Sequence, residues 1–298
     1  MRLAELIQSG NFVRVMEMFP PGLPAPDIIN DSQKYDLSFR FDRLAESIAK
    51  LESLADAFSL PELKDTQRIH LNSVGVAAEL KRRSGNDIIP TITLRDSNRQ
   101  SLLGSVAYAV LAGIENILLV RGDPYEGGPK MNPKNVYDMK KVSSLVSAVR
   151  KLERHLSNQV KLCIITPINL TKSRNAKYIR TIKERETSGV DIFFAEQMFE
   201  SIDSYIERID VVRKAGIICP IVHNIFPLKS YEDGVKCVEK FGWSISSGEL
   251  HRLKTDGPSF GLEMARRRYH ALVERKDKVQ GACISTRGDP EMARLVTS

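Results

Sequence analysis

The 298 residues, 42% hydrophobic and 27% charged, have the composition of a soluble globular chain with a sizeable core, and no apolar run approaches the roughly 18 residues of a spanning helix. The net charge of +7 suits an anionic small molecule such as a dinucleotide or a polycarboxylate, whereas basic residues scattered over predicted helices and only 7% aromatics argue against nucleic acid. No secretory leader is visible, and Cys163, Cys219, Cys237 and Cys283 lack zinc spacing, so buried free thiols in a reducing cytoplasm are expected.

Strand-like and helical patterns alternate along the chain. Val13 to Phe19 reads as the first strand, and Asp42 to Leu54 as a helix with Leu44, Ile48 and Leu51 on one face. Ala57 to Leu60 is a short strand, His70 to Arg83 a helix, and Ile88 to Leu94 a strand. Arg99 to Ala112 is helical and leads to a buried strand at Ile117 to Val120. Then come a helix over Met139 to Leu156, a strand over Val160 to Ile165 and a helix over Ser173 to Ser188. Val190 to Ala195 is a strand, Ile202 to Ala215 a helix, Ile217 to Phe226 a strand and Tyr231 to Phe241 a helix. Leu250 to Arg275 is helical with a break at Gly257-Pro258, and Val279 to Ser285 is the last strand.

Eight strands alternating with helices give the period of an α/β fold of the (β/α)₈ type, expected as one TIM-barrel domain over residues 1–298 with extra C-terminal helices. A doubly wound sheet is the alternative. It would more often carry a glycine-rich phosphate loop after its first strand, where this chain has Pro20-Pro21-Gly22-Leu23-Pro24. Asp123 to Lys134 reads as a long polar loop suited to a lid or a cofactor.

Barrel chemistry sits at the C-terminal ends of strands. Reading those ends gives Glu17 to Phe19, Thr93 to Asp96, Arg121 to Asp123, Thr166-Pro167, Glu196-Gln197, Phe226 to Tyr231 and Ser285 to Arg287. Glu17 interrupts an apolar strand, so it is either paired with a cation or held as an acid with a raised pKa. Asp123 and Glu196 carry the same ambiguity. His223 reads as a hydrogen-bonded strand histidine, and Arg266-Arg267-Arg268 as a solvated helix face. No GxSxG elbow and no metal-ligand spacing appears, so nucleophilic hydrolysis and metal chemistry are disfavoured.

Five segments in order resemble the methylenetetrahydrofolate reductase family. They are Val15 to Pro21, Ile89 to Arg99, Gly113 to Pro124, Ile182 to Glu200 and Ile225 to Tyr231. The third is close to the family's GIRNILALRGDP signature. The resemblance implies a barrel that holds FAD at its rim and reduces methylenetetrahydrofolate, or a related reduced pterin, to the 5-methyl form, with NAD(P)H as hydride donor. It puts Glu17 at the acid position and Asp123 beside flavin and pterin. Arg121 and Gly122 would line the flavin, with Thr91, Thr93 and Thr166 nearby. Tyr137 and Asp138 fall on an adenine-side loop, and Arg185 where the family has a phosphate-binding lysine. On the substrate side, Glu196 replaces a glutamine, Tyr231 would stack, and Arg287 would bind a glutamate-tail carboxylate. Thr91 replaces a histidine, and His223-Asn224 replaces Pro-Gly. The alternatives are a flavin-independent, nicotinamide-dependent pterin reductase and a non-catalytic barrel subunit. A homo-oligomer or a partner reductase subunit is compatible with either.

Overall fold

The computed structural model describes residues 2–24, 34–63, 68–123, 137–156, 161–197 and 199–298. Beyond Asp123, the expected lid loop lies outside these residues, as does Val160. The barrel strands are β1 (Val13–Glu17), β3 (Ala57–Leu60), β5 (Ile88–Thr93), β6 (Asn116–Val120), β7 (Cys163–Ile168), β8 (Ile192–Ala195), β9 (Ile221–Ile225) and β10 (Gly281–Ser285). All neighbours are parallel, and the ring closes through β1 pairing with both β3 and β10. Following the register once round the ring returns to the first strand eight residues below Glu17. That is the stagger of a (β/α)₈ barrel, and it rules out the open doubly wound sheet.

Side chains alternate along each strand. Val13, Val15, Ala57, Ile89, Cys163, Ile165, Ile192, Phe194, Val222 and Cys283 fill the barrel interior. Their neighbours Met16, Phe58, Ile88, Ile117, Ile164, Phe193, Ile221 and Ile284 face the helices. The wall helices are α2 (Leu37–Leu51), α3 (Ser73–Ser84), α4 (Arg99–Leu111), α5 (Val142–Glu153), α6 (Ala176–Thr187), α7 (Ile202–Lys214), α10 (Pro258–Glu274) and α11 (Pro290–Thr297). Most start at a residue whose side chain caps the first turn: Asp36, Asn72, Asn98, Asn175, Ser201 and Asp289 each accept from a backbone N–H.

Several elements are absent from the sequence reading. A short helix α1 (Leu3–Gln8) inserts Leu3 and Ile7 into the bottom of the barrel interior. The Leu3 N–H is held by the Asn116 side chain at 2.9 Å. An antiparallel pair, β2 (Gly22–Pro24) and β4 (Arg68–His70), stands beside the rim next to β1. The C-terminal helix α11 also escaped the periodicity. Between β9 and β10, α8 (Tyr231–Phe241) and α9 (Ser247–Asp256) join α10 around a separate small core of Leu228, Cys237, Ile245, Leu253, Phe260 and Met264. The break expected at Gly257 is real: it separates α9 from α10 with a φ of 61°. All four cysteines are buried and free.

Candidate active site at the barrel mouth

Odd-numbered positions of β1 point inward, so Glu17 reaches the mouth from the barrel's own floor. Its register partners are Ser59 and Ser285, both buried. Burial pushes the Glu17 carboxyl above the ordinary glutamate value, while the Ser285 hydroxyl and the Arg287 charge pull it back. Among the described residues Glu17 forms no salt bridge, and burial is the largest influence on its carboxyl.

A second cluster gathers where β5 and β6 end. Thr91 and Thr93 face inward and are buried. The N–H and the hydroxyl of Thr93 both donate to Glu62, at 2.6 and 2.8 Å. Gly122 has a φ of 83°, and a Cβ there would lie 2.9 Å from the Arg95 Cβ. Only glycine fits such a position without strain. Buried Arg95 pairs with Asp96 at 3.1 Å and donates to the Asp123 carbonyl, tying the two strand ends together. Tyr137 donates to the Gly122 carbonyl at 3.3 Å, and the exposed Arg121 guanidinium lies 5.0 Å from its ring. Asp138 accepts from the Arg99 N–H at the start of α4, at 2.8 Å. Arg121, Gly122, Tyr137 and Asp138 thus lie together at one corner of the rim.

Glu196 continues the inward row of β8. It accepts from Asn169 at 2.6 Å. Burial raises its carboxyl, as does Asp123, while Lys172, Asn169 and Arg185 lower it. Asp123 and Glu196 therefore sense each other across the rim, on the side of the mouth away from Glu17. Gln197, next to Glu196, turns into the protein and accepts from the Phe226 N–H at 3.0 Å. Glu62 and Arg95 are the other residues that support this corner.

Several expected site residues are placed otherwise. Thr166 occupies an outward position on β7 and is wholly buried in the wall. Arg185 lies on α6 with its guanidinium on the Pro167 carbonyl at 2.6 Å. Arg287 is not free to take a carboxylate. It binds Asp233 through two bonds of 2.7 and 3.2 Å and lies 4.2 Å from the Phe226 ring. Tyr231 opens α8, half-buried, with its ring 5.7 Å from the Lys254 ammonium. His223 is buried on the outer face of β9, its ring edge-on to Tyr205 at 4.5 Å, with neither nitrogen hydrogen-bonded. Of the three arginines on α10, Arg268 turns inward and donates to the Glu200 carbonyl. A cleft of about 1080 Å³ opens beside the mouth, lined by residues such as Phe19, Pro21, Arg40, His70 and Thr286, but by none of the expected site residues.

Some polar atoms on the floor are left over. The Thr91 hydroxyl and the Asn224 amide oxygen are buried without a partner, and the Ser285 hydroxyl stands beside Glu17 without closing a full hydrogen bond. The same state occurs in the wall, at the Thr166 hydroxyl and both His223 nitrogens. Among the described residues, no group of three or more His, Cys, Asp or Glu could hold a metal ion, and no helix is long and apolar enough to cross a membrane.

The family model described as methylenetetrahydrofolate reductase matches residues 2–255. The chain belongs to this family. Like the methylenetetrahydrofolate reductase match, the fold comparison is extensive, but it carries less chemistry. The chain is similar to a phosphoenolpyruvate phosphomutase from Streptomyces platensis subsp. rosaceus, with a TM-score of 0.52 and 12% identity over 99% of this chain and 83% of that one. It is similar to an oxaloacetate acetylhydrolase in complex with 3,3-difluorooxalacetate, with a TM-score of 0.54 and 10% identity over 98% and 81%. A 2,3-dimethylmalate lyase gives 0.52 and 9% over 99% and 79%. Identities this low show the shared barrel alone. The methylenetetrahydrofolate reductase match stops before β10, so Ser285 and Arg287 lie outside it.

Proposed function

We propose that the protein is a flavin-dependent reductase that converts 5,10-methylenetetrahydrofolate, or a related methylene-pterin, to its 5-methyl form. The observation that carries this reading is Glu17: an inward carboxyl, raised by burial, in a barrel of this family. A methylene bridge between two nitrogens must open to an iminium before it accepts hydride, and opening requires a proton on the departing nitrogen. Glu17, whose carboxyl burial raises, would deliver that proton. Asp123, across the mouth, would put a carboxylate where a cationic centre is stabilised, with Glu196 beside it.

The residues suit FAD. Arg121, Gly122, Tyr137 and Asp138 make a corner with an exposed guanidinium and a close-approach glycine, and Thr91 lies on the neighbouring strand. Thr93 borders it. Bound FAD would supply the hydride, with NAD(P)H restoring it. Thr166, Arg185 and Arg287 take no direct part in this reading, since one faces the wall and the guanidinium groups of the other two are engaged.

Replacing the acid tests the proposal. Glu17→Gln should bind FAD like the wild type and reduce methylenetetrahydrofolate about 10²–10⁴-fold more slowly. Unchanged turnover in a steady-state assay would remove Glu17 from the chemistry.

A further inference from the structure

We infer that the cleft beside the mouth is a second binding site, one that takes an aromatic group carrying anionic charge. It lies between α2, the β2–β4 pair and the ends of β1 and β10, and its volume of about 1080 Å³ accommodates a ligand of nucleotide size. α2 turns Arg40, Arg43 and Ser47 toward it at helical spacing, and Lys34 stands just before the helix. Arg40 is anchored: it donates to the Gly22 carbonyl at 2.9 Å, with its guanidinium 5.2 Å from the Tyr35 ring. Asp36 is the one acid among the described lining residues, and its carboxylate is spent on the Phe39 N–H at 2.9 Å. The nearby acid on α2, Asp42, is taken by Arg83 of α3 at 2.8 Å. Among the described residues no acid pairs with Lys34, Arg40 or Arg43. A lone solvated cation is ordinary surface, but three in one concavity repel one another and draw an anion.

The same cleft is aromatic. Phe39 is 58% exposed and Phe19 36% exposed, and both line it. Rings turned to water forgo the gain of burial, which a flat ligand laid against them would recover. A ringless polyanion would leave these phenylalanines wet, and an uncharged aromatic would leave the cations unanswered. An aromatic anion satisfies both at once. Met18 and Phe19 continue the strand of Glu17, and Thr286 follows Ser285, so an occupant of the cleft would border the mouth without filling it. Two sources offer this chemistry: the adenosine phosphate half of NAD(P)H and the aminobenzoylglutamate arm of a folate. Naming those two rests on the proposed reading of the mouth; the site itself rests on the cleft alone.

The test titrates ADP and 4-aminobenzoylglutamate separately against the full-length protein at low salt. Two variants are compared with the wild type: Lys34→Gln combined with Arg43→Gln, and Phe39→Ala. All three side chains are exposed, so the fold should stand, and thermal unfolding checks that it does. At least one of the two probes should bind the wild type, less tightly as salt rises, and each variant should bind it about 10-fold or more weakly. Binding of ADP alone assigns the cleft to a nucleotide, and binding of 4-aminobenzoylglutamate alone assigns it to the folate arm. If neither probe binds, or if either variant binds as the wild type does, the inference is overturned. FAD binding and methylenetetrahydrofolate turnover, read on the same preparations, decide the proposed reading of the mouth separately.

Discussion

Glu17 is costly to keep in an apolar strand, and the cost makes a measurable signature. Its carboxyl is raised above the ordinary glutamate value by burial, so the folded protein holds this proton more tightly than the unfolded chain does. The associated stability is complete below the unfolded pKa, about 4.3, and is lost as pH rises through the folded value. In the ligand-free protein, Glu17→Gln should therefore melt above the wild type at about pH 8, and the difference should shrink at about pH 4. A variant that melts below the wild type at the higher pH would contradict the raised acid. The same sign governs catalysis: kcat/KM should fall as pH rises through the Glu17 pKa. At the opposite corner, Gly122→Ala must adopt a φ of 83° and crowd Arg95, and should cost about 1–3 kcal/mol in denaturant unfolding. Glu17 was legible because a charge inside an apolar run is conspicuous. Thr166 was misread because one step of register separates the interior from the wall, and Arg287 because its partner Asp233 is 54 residues away.

At the scale of elements, the barrel strands were readable because Ile, Val and Leu runs closed by turns carry a strong local signal. The plug α1 was not: six residues with only Leu3 and Ile7 buried give no periodicity to detect. Leu3 is nonetheless fully buried, and Leu3→Ala should destabilise the protein by about 2–5 kcal/mol, seen as a lower midpoint in urea. Behind β9, His223 is held neutral, its pKa lowered well below 6.5 by burial and then by Arg268. The unfolded chain takes up that proton first, so stability should drop as pH falls below about 6.5. His223→Phe keeps the contact with Tyr205 and removes two unpartnered nitrogens, so it should lose this acid sensitivity. Equal acid sensitivity in the variant would place the titration elsewhere.

For the whole molecule, the barrel and the family were both legible in the order of strand-end motifs. The separation of roles within the mouth was not, because it depends on closure. Glu17 meets Ser285 only when the first and last strands pair, and Ser285 lies beyond the part of the chain that the family model matches. Asp123 and Glu196 meet only through the circular order of β6, β7 and β8. The barrel therefore brings three carboxyl groups to one opening, Glu17 from one side and Asp123 and Glu196 from the other. The most direct test of that account is the visible absorption spectrum of the full-length protein with FAD added, followed through NAD(P)H and then methylenetetrahydrofolate. The account predicts flavin bands that the nicotinamide bleaches and the methylene-pterin restores. A protein that binds no FAD, or a bleached flavin that methylenetetrahydrofolate leaves unchanged, would contradict it.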